Sequence, residues 1–179
     1  MSTIILDIDG EPFSANLHPG RAPKTVEALL KLLPYRSRVV HARFSGEAIW
    51  IPLPADFSMN VPLENQTSYP SRGELLYYPG FVSDKEVLIP YGATIFSSRV
   101  GQLPGNHFAT VEGKLDKLAE LGTRVLWEGL KKLPSVKGPP ENTRSNSSTN
   151  VEITRTKFSL WIRRFQTETK TQRDPHLRW

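Results

Sequence analysis

Read for its apolar positions alone, the chain opens with two short alternating runs, Thr3 to Ile8 and Glu11 to Leu17, separated by Asp9-Gly10. Alternation puts every second side chain on one face, and an Asp-Gly pair suits the positive φ angles of a two-residue turn, so a β-hairpin is predicted. The period then changes. Val26, Leu29, Leu30 and Leu33 recur at helical spacing behind Ala22-Pro23-Lys24-Thr25. Proline's missing N–H costs nothing in a first turn, and Pro34 ends the run. From Ser37 to Trp50 alternation returns, with Val40, Ala42, Phe44, Ala48 and Trp50 on one face and His41, Arg43, Ser45 and Glu47 on the other. One half-buried strand is the expectation, although a bulge at Gly46 would move Glu47 off the face that carries His41 and Arg43.

Residues 52–72, rich in proline and polar side chains, read as a long loop, which in a compact domain is usually functional or mobile. Gly73 to Tyr78, stopped by Pro79-Gly80, and Glu86 to Phe96 read as further strands, and 101–108 as irregular. Leu115, Leu118, Ala119, Val125, Leu126, Leu130 and Leu133 mark a second helical region, interrupted near Gly122 and closed by Pro134. Residues 134–150 have almost nothing to bury and predict a flexible linker. Val151 to Phe165 turns β-prone again.

Composition bounds this picture. A chain of 179 residues, 38% of them hydrophobic, supports one core. The expected organisation is a domain over 1–133, the linker 134–150, a completing strand within 151–165 and a basic tail at 166–179. The net charge of +5 resides in residues 155–179, where seven Lys/Arg face two acids, so the rest of the chain balances and no nucleic-acid partner is expected. Cysteine is absent, which removes disulfides and thiolate chemistry. No apolar run approaches the ~20 residues of a membrane span and the N-terminus does not read as a signal peptide; a cytoplasmic protein without membrane contact is the expectation. The strand at 151–165 is free to complete its own sheet or to pair with a second subunit, which would make a homodimer.

Several local sequences carry a resemblance. Ala22-Pro23-Lys24-Thr25-Val26-Glu27, following a hairpin, resembles the start of the first cyclophilin helix, and Val40-His41-Ala42-Arg43-Phe44 sits where cyclophilins place a Phe-His-Arg strand. More specifically, His-Ala-Arg-Phe-Ser-Gly-Glu (41–47), Glu-Asn-x-Thr-Ser-Tyr-Pro (64–70), Gly-Glu-Leu-Leu-Tyr-Tyr-Pro-Gly (73–80), Gly-Asn-His-Phe-Ala (105–109) and Val-Leu-Trp-Glu-Gly (125–129) are similar to DUF3830, a family of unknown function with a cyclophilin-like fold. The resemblance covers roughly residues 3–133. It implies a mainly β protein: a closed antiparallel barrel of about eight strands with two helices covering its ends. It does not imply prolyl isomerisation. Prolyl isomerases follow the catalytic arginine with Gly-Phe and Gln-Gly-Gly-Asp, and later carry Gln-Phe-Phe and Trp-Leu-Asp. Here Arg43 is followed by Phe44-Ser45-Gly46-Glu47, and none of those segments occurs.

The candidate chemistry lies on the polar face of 41–47. Residues two apart on a strand project to one side about 7 Å from each other. His41 and Glu47 can then exchange protons near neutral pH while Arg43 grips a carboxylate. The competing reading is a solvated face with Arg43 and Glu47 as a weak surface pair. His107, expected in a loop, is the third candidate acid or base. Tyr69, Tyr91 and Glu128 are candidate substrate-binding groups, with packing as the plainer role for each tyrosine. No His-x-His or His-Glu-x-x-His spacing indicates a metal, and no glycine-rich loop indicates a nucleotide, so neither metal nor cofactor is expected. These observations together suggest a cofactor-independent acid–base enzyme acting on a small carboxylated metabolite, of isomerase, lyase or cyclase type, for example a Pictet-Spengler-like ring closure. The alternative is a small-molecule binding module without chemistry.

Overall fold

The computed structural model describes residues 2–54 and 61–128, together with the backbone of 150–155. The hairpin forms as its sequence requires: β1 (Thr3–Ile8) pairs with β2 (Glu11–Leu17), and Asp9 and Gly10 turn the chain with φ of 59° and 81°. Along both strands buried and half-exposed residues alternate, so Leu6, Ile8, Phe13 and Ala15 face the core. Helix α1 (Pro23–Leu32) follows, burying Val26 and Leu29. None of its own side chains caps its N-terminus. The cap comes from 39 residues away: one Glu64 carboxylate oxygen accepts from the Thr25 backbone N–H at 2.6 Å and its hydroxyl at 2.7 Å. That satisfies one of the donors every helix start leaves open.

The alternating stretch 37–50 is not one strand. It divides into β3 (Tyr35–Arg38), β4 (Val40–His41) and β5 (Gly46–Pro52), with β4 folding back on β5 through a turn over 42–45. Glycine permits the turn, since Gly46 has a φ of 90° and an added Cβ would meet the Ala93 carbonyl at 2.7 Å. A hairpin preserves the alternating pattern on both arms, which is why periodicity alone could not reveal it.

The remaining strands are β6 (Gln66–Thr67), β7 (Glu74–Tyr78), β8 (Glu86–Thr94), the small β9 (Ser97–Ser98) and β10 (Gly101–Gln102) pair, β11 (Gly105–Glu112) and β12 (Asn150–Arg155). The predicted irregular segment 101–108 therefore holds β10 and the start of β11, and His107 is a strand residue rather than a loop residue. Helix α2 (Leu115–Glu128) runs unbroken through Gly122. Residues 129–149 and 156–179, which include most of the expected linker and the basic tail, lie outside the described residues.

The main sheet has the order β3-β12-β1-β2-β11-β7-β8-β5-β4, with β6 beside β11. It curls strongly, yet the expected closed barrel is not reached, because its terminal strands β3 and β4 share no ladder. Only Val39 separates those two edge strands, and a single residue cannot turn a hairpin. Side chains close the seam instead: Tyr35 Oη and Ser37 Oγ both donate to the Pro52 carbonyl, at 2.8 and 3.0 Å. Inside the curl, Leu75, Tyr77, Val87, Ile89, Ile49 and Phe108 pack with both helices into the main core. On the outer face of the same strands, Leu76, Tyr78, Leu88 and Ala48 pack with Trp50, Phe96 and Leu103 into a second, smaller core beneath residues 95–103. Each fully buried Leu, Ile or Phe contributes roughly 2 kcal/mol.

Candidate functional site

Beside that small outer core lies a groove of about 770 Å³, whose walls include His41, Arg43, Trp50, Phe81, Glu86 and Arg99. The turn of 42–45 forms one side and the segment after β7 another. Phe44 and Phe81, 56% and 62% exposed, line it with apolar surface, Phe81 standing edge-on to the Tyr78 ring. Arg43 and Arg99 have no ion pair or hydrogen bond with another described residue.

Glu86 is the unexpected member of this site. It opens β8 on the outer face, opposite Pro52 on one side and Tyr78 on the other, and only 8% of it is exposed. Burial, with a smaller push from the Asp84 charge, raises its carboxyl from 4.5 to about 8. Arg43 and Arg99 are exposed whereas Glu86 is buried in the same wall. At pH 7 such a carboxyl holds its proton in about ten molecules for every one that has lost it. A neutral acid in a partly dry groove can donate a hydrogen bond, or give up its proton near physiological pH.

His41 belongs both to this groove and to a second set of polar groups. Its Nε2 shares a 2.8 Å hydrogen bond with the Tyr91 hydroxyl. Between Gly46 and Ala48 the β5–β8 register slips, and residues 91–93 bulge opposite Glu47. The bulge turns the Ala93 N–H onto the Glu47 carboxylate at 2.6 Å. Burial raises the Tyr91 phenol and the Glu47 charge raises it further, whereas burial lowers the His41 imidazole below its usual 6.5 and keeps it neutral at pH 7. The Tyr91 ring is trapped against α2, where a Cβ on Gly122 would lie 2.2 Å from it.

The sequence-predicted residues therefore separate. His41 bonds to Tyr91, Glu47 acts on Tyr91, and Arg43 reaches the groove beside His41 from the turn. Ser45 also lines the groove, buried and exchanging hydrogen bonds with the Ser97 backbone, whereas Glu47 is not part of its wall. The continuous His41-Arg43-Ser45-Glu47 face does not exist, because Gly46 and the turn break it. Tyr69 is solvent-exposed and accepts from Gln102 Nε2 at 2.8 Å, outside the groove lining. Glu128, at the exposed end of α2, acts electrostatically on Asp9 in the hairpin turn. His107 packs on His18 in a different part of the sheet. Sequence reasoning missed Glu86, Trp50, Phe81 and Arg99 as a group. The available signal was Glu86 itself, a carboxylate joined directly to the apolar run Val87-Leu88-Ile89.

Among the described residues, no helix is long and apolar enough to cross a membrane. Residues 4–135 match the family described as "Protein of unknown function (DUF3830)". No curated protein matches the sequence. The fold is similar to that of McbB, solved in complex with tryptophan, with a TM-score of 0.58 and 20% identity over 86% of this chain. The match spans 45% of McbB, so this chain corresponds to about half of that protein's length. A hypothetical protein from Archaeoglobus fulgidus, solved in solution, matches at a TM-score of 0.48 and 15% identity, over 87% of this chain and 95% of that one.

Proposed function

The chain belongs to the DUF3830 family, and from that premise we propose that its outer groove binds a small carboxylated molecule with an apolar, ring-sized body and performs proton-transfer chemistry on it without a cofactor. The observation that carries this reading is Glu86, a buried carboxyl pushed up to about 8, in the wall of a groove that also presents two guanidinium groups with no ion-pair partner among the described residues. Arg43 and Arg99 would take the ligand's carboxylate, and Trp50, Phe44 and Phe81 its apolar body. Glu86 would give or take the proton, and neutral His41, steadied by Tyr91, would serve as the opposing base. The proton-transfer role thus moves from Glu47 and His107 to Glu86, with His41 retained.

McbB was solved holding tryptophan, which makes that amino acid the first probe for this chain. Calorimetric titration should show binding of tryptophan and indole-3-acetate, but not of tryptamine, which lacks the carboxylate. Losing one charge-assisted contact in Arg43→Ala or Arg99→Ala should weaken binding roughly ten- to hundredfold. Where the probe is converted, the rate should titrate near pH 8, and Glu86→Gln should remove that titration. Equal affinity for tryptamine, or arginine variants that bind unchanged, would overturn the site. Binding with no product after long incubation over a panel of aromatic and aliphatic acids would leave a binding module and refute the enzymatic half.

A further inference from the structure

Away from the groove, on β11 and the end of β2, two imidazoles converge on one atom. Thr110 Oγ1 lies 2.8 Å from His18 Nε2 and 3.0 Å from His107 Nε2, and the two ring centres are 4.8 Å apart. A hydroxyl has one hydrogen, so it donates to one ring and accepts from the other. A hydrogen bond with the Ala109 backbone favours the charged form of His107, which requires a ring N–H donating to a carbonyl. The ring to which the hydroxyl donates presents its Nε2 lone pair to the shared focus. Histidines that bind metals commonly have the remote nitrogen donating to a backbone carbonyl or carboxylate.

The spacing agrees. Two imidazoles bound through Nε2 to one ion at about 2.1 Å have ring centres roughly 4.6–5.3 Å apart, across bond angles from square to tetrahedral. Glu74, the cross-strand partner of Thr110, adds a carboxylate whose charge both histidines feel. The nearby Arg21 acts in the opposite sense on both. Among the described residues no three His, Cys, Asp or Glu already surround one point, and Glu74 at present accepts from the Ser71 N–H at 2.8 Å.

We propose that His18 and His107 form a binding site for one divalent transition-metal ion, with the Thr110 hydroxyl rotating aside and Glu74 and water completing the coordination. His18 and His107 are 89 positions apart, so no sequence spacing could have indicated it. Bound there, the ion would tie the end of β2 to the start of β11 and stabilise the folded chain by mass action.

The test is a calorimetric titration of the EDTA-treated full chain with Zn²⁺, run beside thermal melts. One equivalent should bind and raise the melting temperature. Both effects should vanish in His18→Asn and His107→Asn, weaken in Glu74→Gln, and persist in His41→Asn. An electron paramagnetic resonance spectrum of the Cu²⁺-loaded wild-type chain should show two nitrogen donors, which checks the ligand set without any variant. Failure to bind below about millimolar Zn²⁺, a copper spectrum without two nitrogens, or binding undisturbed by both asparagine variants would overturn the site.

Discussion

Replacing Glu86 by glutamine removes one titration and leaves the shape of the side chain nearly unchanged, which makes its effect on stability calculable. The folded carboxyl titrates at about 8 and the unfolded one at 4.5. Between those values the folded chain holds a proton that the unfolded chain has released. Stability therefore falls as pH rises through the window, with the favourable contribution complete below 4.5 and lost once pH passes 8. At about 1.4 kcal/mol per pH unit the whole span corresponds to about 5 kcal/mol, a large part of a typical domain's stability. Burial lowers His18, His41 and His107 below their ordinary 6.5, and their contributions run the other way, being complete above 6.5 and lost on acidification. The interval from 6.5 to 8 thus isolates Glu86 and should cost the wild type about 2 kcal/mol. Urea denaturation at three pH values across that interval reads it directly, because the midpoint should move while the slope m stays constant. Glu86→Gln should be nearly flat over the same range and the more stable protein at pH 8. Parallel wild-type and variant curves would refute both the raised carboxyl and the burial argument behind it.

Two further substitutions test the scaffold around the site. Gly122→Ala lies inside a helix, where alanine normally stabilises by about 1 kcal/mol, but its Cβ would strike the Tyr91 ring, so a loss of roughly 1–3 kcal/mol is expected in denaturant melts; a gain would show that Tyr91 is not trapped. Glu64→Ala should cost roughly 1–3 kcal/mol by leaving the Thr25 N–H and hydroxyl without their acceptor, and Glu64→Gln should recover most of it; equal stability of the alanine variant and the wild type would show that the distant cap contributes nothing.

What could be read from the sequence follows the reach of the interactions. The β1–β2 hairpin was legible because Asp9-Gly10 sets its turn within two residues, and α1 because Pro23 and the Val26-Leu29 spacing act within one turn of helix. The β4–β5 hairpin was not, since a tight turn that preserves alternation leaves no mark on periodicity and only Gly46 hinted at it. Of the candidate site, His41 and Arg43 reach the groove, while Tyr91 bonds to His41 and Glu47 acts on Tyr91 through a bulge in β8 that pattern alone cannot locate. Glu86 escaped because its significance depends on what covers it: β5 lies on one side, β7 on the other and Trp50 nearby, each brought by a separate part of the chain. His107 was noticed as a possible acid or base, but its partner His18 comes from β2 and gave no local signal.

The seam at Val39 bears on how the molecule moves. The first and last strands of the sheet are consecutive in the chain, so β3 cannot shift without pulling on β4, and β4 is a two-residue strand that carries His41. A cylinder laced by a continuous ladder would spread such a displacement around its circumference. Here two hydroxyls on one carbonyl hold the join, and the load falls on the wall of the groove. The join at Val39 and the groove histidine His41 thus lie two residues apart, and the opening of one is mechanically coupled to the position of the other.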